Sequence, residues 1–137
     1  MRKIALAAFA AGTLLCGCST LSKLQDYTVS QSTVDTVMAS YDSAFLAPAK
    51  NYADLARSNP CSSGVTNANG ACGQPVVARK LQDADKVVES ALSALQAQLD
   101  ACKAAGQSTC TGVGALYSTL KTAISAAESL AATYGVK

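Results

Sequence analysis

The sequence predicts an all-α protein: an antiparallel, up-down-up bundle of three helices with two disulfide-stapled turns. Three segments of the 137-residue chain place apolar residues at spacings of three and four, which is the period of an amphipathic helix. No segment shows the period-two alternation of a strand. The abundance of Ala, Ser and Thr favours closely packed helices, and a pair of cysteines lies in or beside each connection between the segments.

The first eighteen residues have the form of an export signal. Two basic residues precede an uncharged, Ala- and Leu-rich run over residues 4–15, which is too short to span a bilayer. The run ends in Leu15-Cys16-Gly17-Cys18, which resembles the lipobox of bacterial lipoproteins, with Leu at −3, Gly at −1 and Cys at +1. The resemblance implies that residues 1–17 are removed as a signal peptide and that Cys18 carries the lipid, palmitate included.

Lipidation predicts where the protein is located. Mature cysteines of this family carry three acyl chains, and each buried methylene contributes about 0.8 kcal/mol, so release from the membrane would be negligible. Ser19, rather than Asp, follows the cysteine, as is usual for outer-membrane lipoproteins of Gram-negative bacteria. The resemblance thus implies an outer-membrane protein, periplasm-facing or surface-exposed, with a flexible tether over residues 18–29 and a helical domain over residues 30–137. The alternative is a secreted protein with two incidental signal-peptide cysteines.

The first helix is predicted over about residues 30–57. Ser32 with Asp35 resembles a capping box, and the helix could begin at Ser30 or at Ser32. Pro48 disfavours helix at the preceding residue and removes a backbone hydrogen bond. Because the apolar stripe keeps its phase across Pro48, we expect the helix to be kinked near Pro48, with a full break as the alternative. The stripe comprises Val34, Val37, Met38, Tyr41, Phe45, Pro48, Tyr52 and Leu55.

The second helix has the clearest limits, because Pro75 suits a first helical position and Gly106 suits a C-terminal stop. Its stripe comprises Val77, Leu81, Ala84, Val88, Leu92, Leu95, Leu99 and Cys102. The third helix is predicted from residue 111 or 112 to 134, with Gly135 ending it. Its stripe comprises Val113, Leu116, Leu120, Ile124, Ala127, Leu130 and Tyr134.

The cysteines after Cys18 number four, and an even count in an exported chain implies two disulfides. Roughly 30 residues of helix span about 45 Å, so cross-pairing would join opposite ends of the second helix. Bonded cysteines have Cα atoms within about 7 Å. Only Cys61–Cys72 and Cys102–Cys110 satisfy this limit, and each contributes about 3 kcal/mol on a loop-entropy model. The alternative, redox catalysis, favours a Cys-x-x-Cys spacing that is absent here.

Charge and composition argue against several functions. Because two of the eleven basic residues lie in the signal, the mature part has nine basic and nine acidic residues, which argues against nucleic-acid binding. Without His there is no Ser-His-Asp triad, no Cys-His pair and no imidazole metal ligand. We therefore expect no catalytic residues, no metal and no cofactor other than the covalent lipid. The acidic residues lie mostly off the stripes, as on solvated faces.

The leading prediction is a non-catalytic envelope lipoprotein that acts as a structural or protein-interaction module. Residues 58–74 are an uncharged loop with an Asn69-Gly70 turn signal, at the end of the bundle farthest from the anchor. Asn67 and Asn69 are the candidate contacts to an unidentified envelope protein, unless the loop is only a connection. The alternatives are an inhibitor or immunity-type binding lipoprotein, or a carrier of a small apolar ligand between the helices. The aromatic residues are expected in the core rather than around a ligand.

Overall fold

The computed structural model describes residues 29–62, 71–107 and 110–137. The residues assigned by prediction to a signal peptide, to the lipidated Cys18 and to the tether before Val29 lie outside the described residues, as do Asn67 and Asn69. The elements in chain order are α1 (Gln31–Tyr41), a π-helical segment (Asp42–Leu46), α2 (Ala47–Ser58), α3 (Pro75–Ala104) and α4 (Val113–Thr133). No strand occurs within these three ranges, so the predicted all-α bundle with two disulfides is confirmed.

Helix α1 begins at the earlier of the two predicted serines. Ser30 is the N-cap, and its Oγ accepts a hydrogen bond from the Thr33 N–H at 3.3 Å. Val29, immediately before the cap, and Val34, four positions into the helix, are both buried, as in a hydrophobic staple. The assignment of residue 29 to a flexible tether is therefore wrong: Val29 belongs to the hydrophobic core.

The irregularity that was expected near Pro48 lies just before it, in the π-helical segment. The Ala47 N–H donates to the Asp42 carbonyl, five residues back. Backbone φ/ψ values remain helical on both sides, at −60°/−44° for Tyr41 and −65°/−48° for Ala47. Pro48 then falls in the first turn of α2, where its missing N–H is tolerated. The first helix is not split, so the full break considered as an alternative is wrong.

The two long helices end at the predicted glycines, and both ends are Schellman motifs. Gly106 has φ of 63° and Gly135 has φ of 65°, a left-handed conformation that glycine adopts without steric cost. At the end of α3 the Gln107 N–H donates to the Cys102 carbonyl at 3.1 Å, and at the end of α4 the Val136 N–H donates to the Ala131 carbonyl at 3.0 Å. Val136 is also buried, which supplies the apolar contact of the motif.

Consecutive helices run antiparallel, because in the hydrogen bonds that join them the residue numbers rise along one helix as they fall along the next. The first helical unit comprises α1, the π-helical segment and α2; in it Tyr41 bonds to Asp85 of α3, and Tyr52 bonds to Gln74, which immediately precedes α3. Between α3 and α4, Gln98 bonds to Thr111, which lies just before α4, and Lys80 bonds to Tyr134, which lies just after it. The π-helical segment also contacts α4. The core is therefore shared by all three helical units.

The core contains most of the residues that the three stripes predict, and several alanines that they do not. Tyr41, Phe45, Leu81, Leu95 and Leu120 are each at most 1% exposed. The prediction that the aromatic residues pack in the core is confirmed, with partial burial for two of them (Tyr117 and Tyr134). The buried alanines outside the predicted stripes are Ala49, Ala53, Ala56, Ala78 and Ala131. Alanine side chains allow helix backbones to approach closely.

Candidate interaction site at the loop base

The loop between α2 and α3 leaves the bundle through two short segments that are bonded to each other. We call these segments, residues 59–61 and 71–73, the loop base. The Cys61 N–H donates to the Gly73 carbonyl at 2.9 Å, and the Gly73 N–H donates to the Asn59 carbonyl at 3.0 Å. These bonds form an isolated parallel β-bridge. The bridge fixes where both ends of the loop leave the helices.

A disulfide and a side-chain hydrogen bond close the loop base further out. Cys61 and Cys72 are bonded, with their Cα atoms 5.0 Å apart, as predicted. The Asn59 Nδ2 donates to the Ala71 carbonyl at 2.6 Å, which joins the two segments a second time. An asparagine beside a proline is a turn signal in the sequence, but the bond across the loop depends on the fold.

The loop base is attached to the bundle at Tyr52 and Ala56. The Tyr52 hydroxyl accepts a hydrogen bond from the Gln74 N–H at 3.0 Å, and its ring is buried. Gly73 lies directly against Ala56: a Cβ at position 73 would be 2.5 Å from the Ala56 Cα, closer than real Cβ contacts. A glycine is therefore required at position 73 by close approach rather than by backbone conformation.

The structure brings together only part of the predicted site. Cys102 and Cys110 form the second predicted disulfide, with Cα atoms 5.8 Å apart, at the opposite end of α3. Asn67 and Asn69 lie outside the described residues, so their role stays a prediction. The sequence does not indicate the roles of Asn59 and Gly73 in the loop base or of Tyr52 beside it, because their partners are 12 to 22 residues away or, for Gly73, on a neighbouring helix.

A groove of about 370 Å³ runs between α2 and α3. Alanines and leucines form its apolar lining, and a second cavity of about 200 Å³ continues it toward Pro75. Lys50, Arg57 and Arg79 lie on the rim. The apolar residues of the larger groove are Leu46, Ala49, Ala53 and Leu81. Such a surface can contact an apolar ligand or the side chains of another protein.

Asp85 is partly buried, and its hydrogen-bond partner lies on a different helix. It lies at one end of the groove and accepts a hydrogen bond from the Tyr41 hydroxyl at 2.7 Å. Burial, reinforced by this bond and by the Asp85 charge, raises the pKa of the Tyr41 hydroxyl far above its ordinary value of 10.0. Tyr41 therefore stays protonated and acts as a structural donor. The exposed acidic residues among those described are Asp35, Asp42, Asp54, Asp83, Glu89 and Asp100, in agreement with the predicted solvated faces.

No set of three His, Cys, Asp or Glu side chains in residues 29–62, 71–107 and 110–137 is arranged to hold a metal ion. None of the helices described has the length and hydropathy needed to cross a membrane.

No family model, curated protein or solved structure matches the chain. Function must therefore be inferred from the residues themselves: the lipobox-like N-terminus, the bonded loop base and the surfaces of the bundle.

Proposed function

We propose that the protein is an envelope lipoprotein, anchored to the outer membrane through lipid on Cys18, that acts as a non-catalytic interaction module. The sequence Leu15-Cys16-Gly17-Cys18 supports the anchor. The loop base supports the interaction role. Its bridge, disulfide and side-chain hydrogen bonds hold the two ends of the loop at fixed positions. Binding residues are commonly found on loops that a rigid scaffold positions.

The loop base is more elaborate than a simple connection requires. Two helices of a bundle can be joined by a few residues, whereas this connection spans residues 59–74 and is closed at its base by covalent and hydrogen bonds. Its sequence is uncharged, which suits a contact surface that loses its water on binding. The partner that this surface favours is another protein of the envelope.

Lipidation is tested by changing the cysteine that the lipobox assigns. In cells, the Cys18→Ala variant should leave the membrane fraction, and the matched Cys16→Ala variant should remain in it. Mass spectrometry of the wild-type N-terminus should show an acylated Cys18. If the Cys18→Ala protein stays in the membrane fraction, the anchor is not attached at Cys18 and the proposal is wrong in that respect.

The interaction role is tested by photo-crosslinking in the full chain. A photoreactive residue at Asn67, or at the exposed Ser62 beside the loop base, should give one discrete crosslinked protein. The same residue at Ser129, exposed on α4, is the control and should give none of that product. Equal products from loop and control positions, or none from the loop, would contradict a role for the loop in binding.

The groove between α2 and α3 favours a second candidate function, the transport of a small apolar ligand. Its volume of about 370 Å³ lies in the range of ligand pockets. An environment-sensitive apolar dye should then bind the purified protein, and Ala53→Trp, which places a large side chain in the groove, should abolish its fluorescence. Exposed Ser118→Trp on α4 is the control. Dye binding that Ala53→Trp leaves unchanged would exclude this groove.

A further inference from the structure

One face of α3 carries two exposed valines. Val76 and Val87 are 57% and 59% exposed, and they are the large apolar side chains that remain exposed among the described residues. Eleven residues separate them, which is three helical turns, so both lie on the same side of α3, about 16 Å apart. Lys80 and Asp83 lie between them on that side and are also exposed. We call these four residues the α3 face.

The order of residues on the α3 face is self-complementary. Val76 precedes Lys80 by four positions, and Asp83 precedes Val87 by four positions. A two-fold axis that passes between residues 81 and 82, perpendicular to the helix, would therefore place Val76 of one copy against Val87 of the other. The same axis would place Lys80 against Asp83, and each of these contacts would occur twice.

We propose that the α3 face binds a second copy of this chain in an antiparallel, two-fold symmetric contact. Isologous contacts of this kind are the commonest in homodimers, because one patch serves both partners. The charge pattern favours a second copy over another protein, since each copy supplies the opposite charge at the position that the other requires. The inference goes beyond the proposed function, which assigns the partner contact to the loop.

Existing contacts of the two charged residues are compatible with this pairing. The Lys80 ammonium donates to the Tyr134 hydroxyl at 2.7 Å, and the Asp83 carboxylate is 3.0 Å from the Lys86 ammonium. Both contacts are on exposed surface, where such pairs contribute little and exchange readily. An ammonium has three donors and a carboxylate has two acceptor oxygens, so each group can keep its present contact and gain another.

The α3 face is small, so the dimer is expected to be weak in dilute solution. Confinement to a membrane would raise the local concentration of the chains and favour pairing, in the way that linked binding sites gain from effective concentration. This step rests on the proposed lipid anchor. The test is therefore made in cells, with the full-length chain and its lipobox intact.

Cysteine crosslinking tests the geometry of the contact. Val76→Cys and Val87→Cys variants, carrying different tags, are co-expressed and treated with a mild oxidant. A disulfide-linked dimer that contains both tags is expected, because the two positions face each other. Val76→Cys expressed alone should give little dimer, since its two copies would be about 16 Å apart along the helix and bonded Cα atoms lie within about 7 Å. Val76→Cys with Ser118→Cys on α4 is the matched control.

Charge reversal tests the same contact independently. Lys80→Glu alone or Asp83→Lys alone should lower the crosslinked fraction about tenfold, because two attractive pairs become repulsive. The double variant, with both charges exchanged, should restore most of the crosslinking. Asp54→Lys, an exposed change on α2, should leave it unchanged.

These outcomes separate the inference from the proposed function. Absence of the mixed dimer, or equal dimer from Val76→Cys alone, would overturn the antiparallel contact, and so would a failure of the double charge variant to recover. If the variants remain in the membrane fraction while giving no dimer, the anchor stands and the α3 face is not an interface. If the chain is not in the membrane fraction at all, the anchor fails. The purified protein at millimolar concentration then tests the contact by sedimentation.

Discussion

At the connection between α2 and α3, hydrogen bonds join the two segments of the loop base to each other and to α2. At the connection between α3 and α4, the described bonds belong mainly to the end of α3 itself, in the Schellman motif at Gly106. Both connections contain a disulfide, so cross-linking alone does not distinguish them. The first connection has a structure of its own that fixes where a loop emerges, whereas the second reverses the chain.

Removal of either disulfide is expected to have the largest effect on the stability of its connection. The Cys61→Ser/Cys72→Ser and Cys102→Ser/Cys110→Ser variants should each lose about 2.5–3 kcal/mol of unfolding free energy, because the closed loops are of similar length. Urea denaturation measures this loss. The two variants should differ in amide hydrogen exchange. In the Cys61→Ser/Cys72→Ser variant the amides of residues 61 and 73 should exchange faster, whereas in the Cys102→Ser/Cys110→Ser variant the Gln107 amide should remain protected. Equal loss of amide protection at the two connections would show that the loop base has no hydrogen-bonded structure beyond that of a simple chain reversal.

The glycines of the two connections offer a second test. Gly73→Ala should destabilise the protein by about 2 kcal/mol, because the new Cβ would overlap the backbone of Ala56. Gly106→Ala should cost about 1 kcal/mol, since no atom of the described residues lies within 4 Å of a Cβ at position 106 and the positive φ is what opposes a side chain. Thermal and urea denaturation would rank the two. A Gly73→Ala protein as stable as the wild type would show that α2 and the loop base do not pack as described.

The hydrogen bond from Tyr41 to Asp85 joins the first helix to α3 away from both connections, so it serves as a reference for them. The raised pKa of Tyr41 means that folding favours the protonated hydroxyl, so its contribution is constant below pH 10 and declines above it. The wild-type unfolding free energy should therefore fall above pH 10 by up to about 1.4 kcal/mol per pH unit from this group. Tyr41→Phe should lose about 1.5 kcal/mol at pH 7. The unfolding free energy of Tyr41→Phe, measured by urea denaturation at several pH values, should also lack the part of the fall above pH 10 that comes from Tyr41. An unchanged pH dependence in Tyr41→Phe would show that the decline above pH 10 does not come from the buried Tyr41 hydroxyl.

The smallest effect is expected at the attachment of the loop base to α2. Tyr52→Phe removes the oxygen that accepts the Gln74 N–H, and should cost about 1 kcal/mol. Tyr117→Phe on α4 is the matched control, because the Tyr117 hydroxyl has no hydrogen bond to any of the described residues. This change should alter stability by less than about 0.5 kcal/mol. Both are measured by urea denaturation. Equal losses for the two variants would mean that the Tyr52 bond does not hold the loop base.

Much of the bundle could be predicted because its signals are local. The stripes of α3 and α4, the stops at Gly106 and Gly135 and both disulfide pairings follow from spacing and from the length of one helix. A glycine that follows an apolar stripe indicates a helix end, and a leucine every three or four residues indicates the buried side of a helix. The prediction for Pro48 captured the place of the disturbance closely but not its form, since a π-helical turn depends on how the two halves of the helix pack.

The parts that could not be predicted depend on contacts between distant residues. Ala49, Ala53 and Ala56 are buried, although alanine has too little apolar surface to identify a core position by pattern. Val29 was assigned to the tether because the residues before it are polar, and only its packing shows otherwise. Gly73 resembles any loop glycine until Ala56 is found against it. The exposure of Val76 and Val87 likewise depends on which side of α3 the other helices cover.

The π-helical segment has a consequence for how this chain tolerates a change in length. A π turn contains one residue more than an α-helical path of the same rise, and the surplus is taken up locally without rotating the helices on either side. Ala44 lies in that turn and is exposed. The first helix can therefore be shortened by one residue at this point while α1 and α2 keep the same faces toward α3. Elsewhere in the bundle, deletion of one residue would turn everything after it by about 100°.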